Sequence, residues 1–257
     1  MSEFHSFCIR CPQITGSRYL QRGKLIYLSG RFWMSFRRRD VTARLSSRSV
    51  RNVMRSVMIQ TLVIPGLNGS SDEHWQRHWV RERVSSSVVE QENWTCPVLA
   101  HWQAKLDEAL SNTDGAFLVA HSLGCLLAAS YAGRRGAGLI RGALLVAPCS
   151  LETTLQMHPC MIDFGIEPLE RLPFPSLVVG SLNDPYMSVP QLERHVKAWG
   201  SDLVTIGFSG HINVASGFGR WPQGYDFFER LVRSSKVPQS WPSAATSRSD
   251  LVRSSTL

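Results

Sequence analysis

Residues 115–132, GAFLVAHSLGCLLAASYA, decide the fold. GAFLVA is a short unbroken apolar run, the signature of a strand buried on both faces. It stops at a His-Ser-Leu-Gly turn. LGCLLAASYAGR then continues as a helix rich in small residues, ended by Gly133 and the glycines Gly136 and Gly138. A strand that runs straight into a sharp turn and out into a helix is the setting of a nucleophile elbow, with Ser122 at its apex. Such a turn strains the serine backbone and needs small residues two positions to either side. Here these are Ala120 and Gly124, giving A-H-S-L-G in place of the commoner G-x-S-x-G. The turn lifts Ser122 Oγ above the sheet edge and aims the N–H groups of the helix start at it.

Outward from this segment, short apolar runs alternate with amphipathic ones. TLVIPG reads as a buried strand ended by Pro65 and Gly66, and SSSVVEQ as a second. GALLVAP, SLVVGS and DLVTIGF supply the later strands. DEHWQRHWVRERV reads as a helix starting near Asp72, with Ser70 or Ser71 as its cap. PVLAHWQAKLDEALSN places Leu99, Trp102, Leu106 and Leu110 on one face. PQLERHVKAWG and QGYDFFERLVRSS are the last two helices. The pattern predicts an α/β chain with a parallel, doubly wound sheet. The segment 148–173 gives no clear path.

A serine hydroxyl is a weak nucleophile unless an oriented base removes its proton. In this strand–turn–helix setting the partners follow in the order Ser, acid, His, after later strands. Asp184 stands in the loop after SLVVGS, and His211 in the loop after DLVTIGF. Asp184 can fix the tautomer of His211, and His211 can deprotonate Ser122.

Four motifs in series, VIPGLNGSSDEHWQ, AHSLGC, GSLNDPY and GHIN, resemble the YdeN-type small serine hydrolases. That family includes retinoblastoma-binding protein nine and lies within the α/β-hydrolase superfamily. The resemblance runs from about Met58 to Ser235. It implies a compact α/β-hydrolase fold with a mainly parallel sheet of about six strands and no large lid. Ser122 would be nucleophile, Asp184 the acid and His211 the base, with no cofactor. One oxyanion donor would be the backbone N–H of Leu123, and the other that of Leu67, with Asn68 next in order. Asn68, His74 and Trp75 would line the substrate site. The implied activity is cleavage of a small-molecule carboxylic ester, with amides or thioesters as further substrates, through an acyl-enzyme. The alternative is an interaction protein that keeps the hydrolase fold and works by binding a protein partner.

Other features carry less. His74 and His78 have the spacing of two zinc ligands, but Trp-Gln-Arg between them lacks the Glu of H-E-x-x-H and no third ligand is placed. No metal is therefore expected. His121 should point away from the nucleophile as a structural residue, and Trp75, Trp79, Trp102 and Trp199 should sit in the core or pocket wall. Asp163 and His158 lie in an excursion that would cover the pocket, His195 sits on a helix, and Asp202 opens a strand, solvated.

The net charge of +8 suggests an anionic partner at first sight. Residues 1–57 hold 12 of the 28 basic residues and two of the 20 acidic ones, so the remainder is near neutral at −2. This Arg- and Ser-rich extension reads as a disordered segment or a mis-called start upstream of Met54 or Met58. Less favoured are an organelle transit peptide and a nucleic-acid-binding arm. Residues 58–235 form the expected domain, and the Ser- and Pro-rich 236–257 a disordered tail. No apolar run approaches the ~20 residues that span a bilayer. Six cysteines are too dilute for a disulfide scaffold, so a reduced, cytoplasmic setting is expected. Cys125, Cys149 and Cys160 read as small buried hydrophobes, and the lone Cys8/Cys11 pair carries no site.

Overall fold

The computed structural model describes residues 59–158 and 162–235. The expectations for residues 1–57, Met58, Cys160 and the C-terminal tail fall outside this range. Six strands, β1 (Thr61–Ile64), β2 (Ser86–Val88), β3 (Ala116–His121), β4 (Ile140–Val146), β5 (Ser176–Gly180) and β6 (Asp202–Thr205), form one sheet in the order β2-β1-β3-β4-β5-β6. Every pairing is parallel.

The strand residues divide by parity, because successive side chains leave opposite faces of a strand. Leu62, Ile64, Leu118, Ala120, Leu145 and Val178 enter one buried cluster, and Val63, Phe117, Val119, Leu144 and Val179 enter the other. Each face needs its own cover. Helices α2 (Leu99–Ser111) and α3 (Leu123–Ala129) close the first face through Trp102, Leu106 and Leu126, joined by Leu151, Leu192 and Trp199 from α4 (Leu151–Met157) and α5 (Val189–Trp199). Helices α1 (Trp75–Glu82) and α6 (Pro222–Ser235) close the second through Trp75, Trp79, Phe228 and Leu231. The expected doubly wound sheet with helices on both faces is present.

Strand order reverses at β1. The chain passes from β1 out to β2 and returns to β3 on the other side of β1. In an open parallel sheet the loops at the carboxyl ends diverge at such a switch point and leave a crevice. Ser122 follows β3 and Leu67 follows β1, so both stand at its rim.

Several local expectations change. Helix α1 starts at Trp75, not Asp72, and its cap is His74, whose side chain accepts the Gln76 N–H. Ser70 instead donates from Oγ to Gln76 Oε1 at 2.7 Å. Helix α3 is shorter than LGCLLAASYAGR suggests, ending at Ala129. The segment 148–173 contains α4, which the sequence did not resolve. Cys125 and Cys149 are free and buried, whereas Cys96 is disulfide-bonded, a departure from uniformly reduced thiols.

At Gly124 the end of β1 and the start of α3 meet closely. A Cβ added there would lie 2.5 Å from Ile64 O and 2.6 Å from Pro65 O, both backbone atoms. Gly138 is exposed and would bring its Cβ near nothing. Gly124→Ala should therefore lower unfolding free energy by about 1–3 kcal/mol in urea titration, with Gly138→Ala within about 0.5 kcal/mol of the parent.

Candidate active site

Ser122 occupies a backbone conformation that only a constrained turn imposes, with φ 54° and ψ −123°. A positive φ is uncommon for a non-glycine residue and is held by its surroundings. Ser122 N–H donates to Val146 O at 3.1 Å, and Ser122 O accepts the Cys125 N–H at 2.9 Å, tying the apex to β4 and to the first turn of α3. From the other side Gly66 presses against the apex. A Cβ there would come within 2.8 Å of Ser122 Cβ and 3.2 Å of Leu123 N.

His211 and Asp184 reach this apex from the loops after β6 and β5. His211 Nε2 lies 2.8 Å from Ser122 Oγ. Its Nδ1 lies 2.9 and 2.8 Å from the two Asp184 carboxylate oxygens. A carboxylate accepts only, so Nδ1 carries the proton and Nε2 presents its lone pair to the Ser122 hydroxyl. Tyr186 N–H donates to Asp184 Oδ1 at 2.9 Å, and the Tyr186 ring packs 4.4 Å from the His211 ring, centroid to centroid. All three residues are nearly sealed: the side chains of His211 and Asp184 are 8% and 2% exposed, and Ser122 is 8% exposed. Ser122 and His211 border a cavity of about 340 Å³, with Asp184 behind His211.

A serine hydrolase family model matches residues 61–230. That span covers well over half of the chain. The chain belongs to the serine hydrolase family. A YdeN-like hydrolase of Pectobacterium atrosepticum is 30% identical, aligns over 74% of this chain and 99% of its own, and superposes with a TM-score of 0.60. The ydeN gene product of Bacillus subtilis is 23% identical over 68% of this chain and 100% of its own, with a TM-score of 0.55. No curated protein sequence matches the chain. The YdeN-type α/β-hydrolase resemblance read from the four motifs thus agrees with both the family and the fold.

In this serine hydrolase the His211 loop is pinned by its backbone carbonyls. Trp75 Nε1–H donates to Ile212 O at 2.9 Å, and His121 Nε2 lies 2.9 Å from His211 O. A carbonyl only accepts, so His121 carries its proton on Nε2. Trp75 is 1% exposed and packs in the second-face core. It does not line the cavity as expected; its indole is turned inward to hold the loop that carries His211. His121 does not point away from the site. It borders the cavity, and its structural part is the bond to the His211 carbonyl.

His74 does line the cavity, as does Asn68. Burial pushes His74 down to about 4, with the His211 and Arg77 charges adding to the effect. His121 is driven well below the ordinary histidine range, by burial first and then by His211 and His74. Both flanking imidazoles are therefore neutral at pH 7. Burial also pushes the Cys149 thiol up to about 12, against hydrogen bonds with Thr154 and Ser122, which leaves it protonated and unreactive.

In the loop after β1 two successive peptide groups are placed differently. Asn68 N–H is committed to Trp94 O at 2.9 Å. Leu67 borders the cavity, and Leu123 opens α3 beside Ser122.

The excursion splits in two. Thr154 and His158 of the α4 segment border the cavity, while Asp163 turns away to bond with Pro97 O and Leu99 N–H at the start of α2. His195 is buried on α5, its Nε2 3.1 Å from Glu167 Oε1, and Glu167 Oε1 in turn accepts the Leu151 N–H of α4. Tyr186 and Thr154 carry no periodicity or spacing signal that would have singled them out. Among the described residues no group of three or more His, Cys, Asp or Glu could hold a metal, and no helix is long and apolar enough to cross a membrane.

The neutral His74 makes stability depend on acid. An unfolded histidine takes its proton near its ordinary value of 6.5, the folded one only near 4. Between these values the unfolded chain binds more protons, so stability is complete above about pH 6.5 and falls as pH drops toward 4. The His74 share amounts to roughly 3 kcal/mol, and His121 acts in the same direction. Urea titrations across this range should show the loss in the parent. His74→Asn, which keeps an N-cap oxygen and removes the titrating ring, should make the slope shallower.

Proposed function

We propose that this hydrolase cleaves carboxylic esters through an acyl-enzyme, with Ser122 as nucleophile, His211 as general base and acid, and Asp184 as its orienting carboxylate. The observation that carries the reading is the continuous chain from Ser122 Oγ through His211 to Asp184, each link between 2.8 and 2.9 Å. In the first half-reaction Ser122 Oγ attacks the ester carbonyl carbon as its proton passes to His211 Nε2. The tetrahedral oxyanion takes hydrogen bonds from the backbone N–H groups of Leu123 and Leu67. As the intermediate collapses, His211 returns the proton to the departing alcohol oxygen, leaving Ser122 acylated. A water molecule then attacks the acyl carbon, His211 accepts its proton, and the second collapse restores Ser122 Oγ–H and frees the acid. Asp184 stays ionised and stabilises the imidazolium in both halves. Amides and thioesters present the same carbonyl to the same groups.

Support comes from the position of Ser122 at the switch point of the sheet, from the reach of His211 to it out of the loop after β6, and from membership in the serine hydrolase family. Hydrolysis of p-nitrophenyl acetate tests the reading. The parent should turn over, Ser122→Ala should fall to the uncatalysed background, and Asp184→Asn should lose about 10⁴-fold in kcat through the wrong His211 tautomer. Equal rates in the parent and Ser122→Ala would overturn it.

A further inference from the structure

Five rings that line the cavity contact one another in series: His74, His121, His211, Tyr186 and His158. Successive centroids are 4.9, 4.9, 4.4 and 6.0 Å apart. His211 at the centre belongs to the triad. The two ends of the row, His74 and the Tyr186–His158 pair, have no part in the chemistry described above.

The tautomer of His74 is fixed by its place in the fold. Its Nδ1 accepts the Gln76 N–H at 3.2 Å as the cap of α1, so the lone pair is there. A neutral imidazole has one N–H, which must then be on Nε2. The ring stays neutral because burial holds it down to about 4. Among the described residues none accepts a hydrogen bond from Nε2, and the atom is not sealed off from solvent. His74 therefore shows the cavity an uncharged N–H donor. At the other end the Tyr186 hydroxyl and His158 Nε2 are 3.2 Å apart.

The rest of the lining sets size and polarity. At about 340 Å³ the cavity lies near the small end of the ~300–1,000 Å³ range of ligand sites. Its aliphatic wall is confined to Leu67, Val214 and Ala215, against Asn68, Ser71 and Thr154 among its polar members. A long acyl chain would find little apolar surface to bury against. No Lys, Arg, Asp or Glu lines it among the described residues, so an ionised acyl group would lose its hydration with no counter-charge.

We infer that the site selects short, uncharged acyl groups bearing a hydrogen-bond acceptor, with His74 Nε2–H as the specificity-determining donor. This rests on the ester-hydrolase reading above and narrows its substrate class. The wall of the excursion sets the length limit through Thr154 and His158. The donor sets the preference for an acceptor atom over a methylene.

Three p-nitrophenyl esters test it: octanoate, butyrate and methoxyacetate. The last replaces one butyrate methylene by an ether oxygen. Each kcat/KM is divided by the ester's rate with hydroxide, removing differences in intrinsic reactivity. Butyrate should exceed octanoate at least about tenfold, and methoxyacetate should exceed butyrate at least about threefold. In His74→Asn the methoxyacetate-to-butyrate ratio should fall to about one, carried by KM. A purely structural loss would lower both esters together and leave that ratio unchanged. An unchanged ratio in the folded variant, or octanoate cleaved as well as butyrate, would overturn the inference. Fluorophosphonate labelling of the parent separates the two levels. A labelled parent with the wrong order of esters refutes only the selectivity, and a parent that neither labels nor hydrolyses any ester refutes the ester-hydrolase reading with it.

Discussion

The close approach of the β1 and β3 ends is the constraint on which the site depends. Gly66 and Gly124 let the backbone after β1 lie against Ser122 and the start of α3, where even one methyl group would intrude. That contact holds Ser122 at positive φ, turns its hydroxyl toward His211, and brings the Leu67 peptide beside the same rim. A sheet packed on both faces makes the contact rigid. The strained residue sits between two clusters of buried side chains that leave the turn little room to relax.

Electrostatics follow from the same packing. His211 is flanked by His121 and Tyr186 and faces the sealed Asp184 carboxylate. A second cation next to it would oppose the imidazolium that the proposed chemistry requires. Burial prevents this by keeping His121 and His74 unprotonated, and it also leaves each with one defined N–H. The His121 proton holds the His211 carbonyl, and the His74 proton opens on the cavity. Neighbouring histidines of similar burial thus have different tasks because their hydrogen-bond partners differ.

Much of this was legible in the chain itself. Short apolar runs separated by amphipathic segments specify a doubly wound sheet, since strands buried on both faces cannot alternate in polarity. Chain order alone places Ser122, Asp184 and His211 in loops at the same end of that sheet. What stayed hidden depends on side-chain direction. The α1 cap looked like Ser70 or Ser71 because imidazole is a rare cap and hydroxyls are common ones. Trp75 and His74 are adjacent in sequence, yet one faces the core and the other the cavity, a distinction set by the helix start one residue away. Helix α4 reads LETTLQM, too short and too mixed for periodicity to mark, and the contact of Tyr186 with His211 arises only from the fold of the loop after β5.

The central claim is that His211 activates Ser122. It is tested most directly by locating the adduct of a fluorophosphonate by tandem mass spectrometry of the digested protein. The account predicts phosphonylation on Ser122 in the parent and a rate lower by several orders of magnitude in His211→Ala. An adduct on another residue, or His211→Ala labelled on Ser122 at the parent's rate, would contradict it.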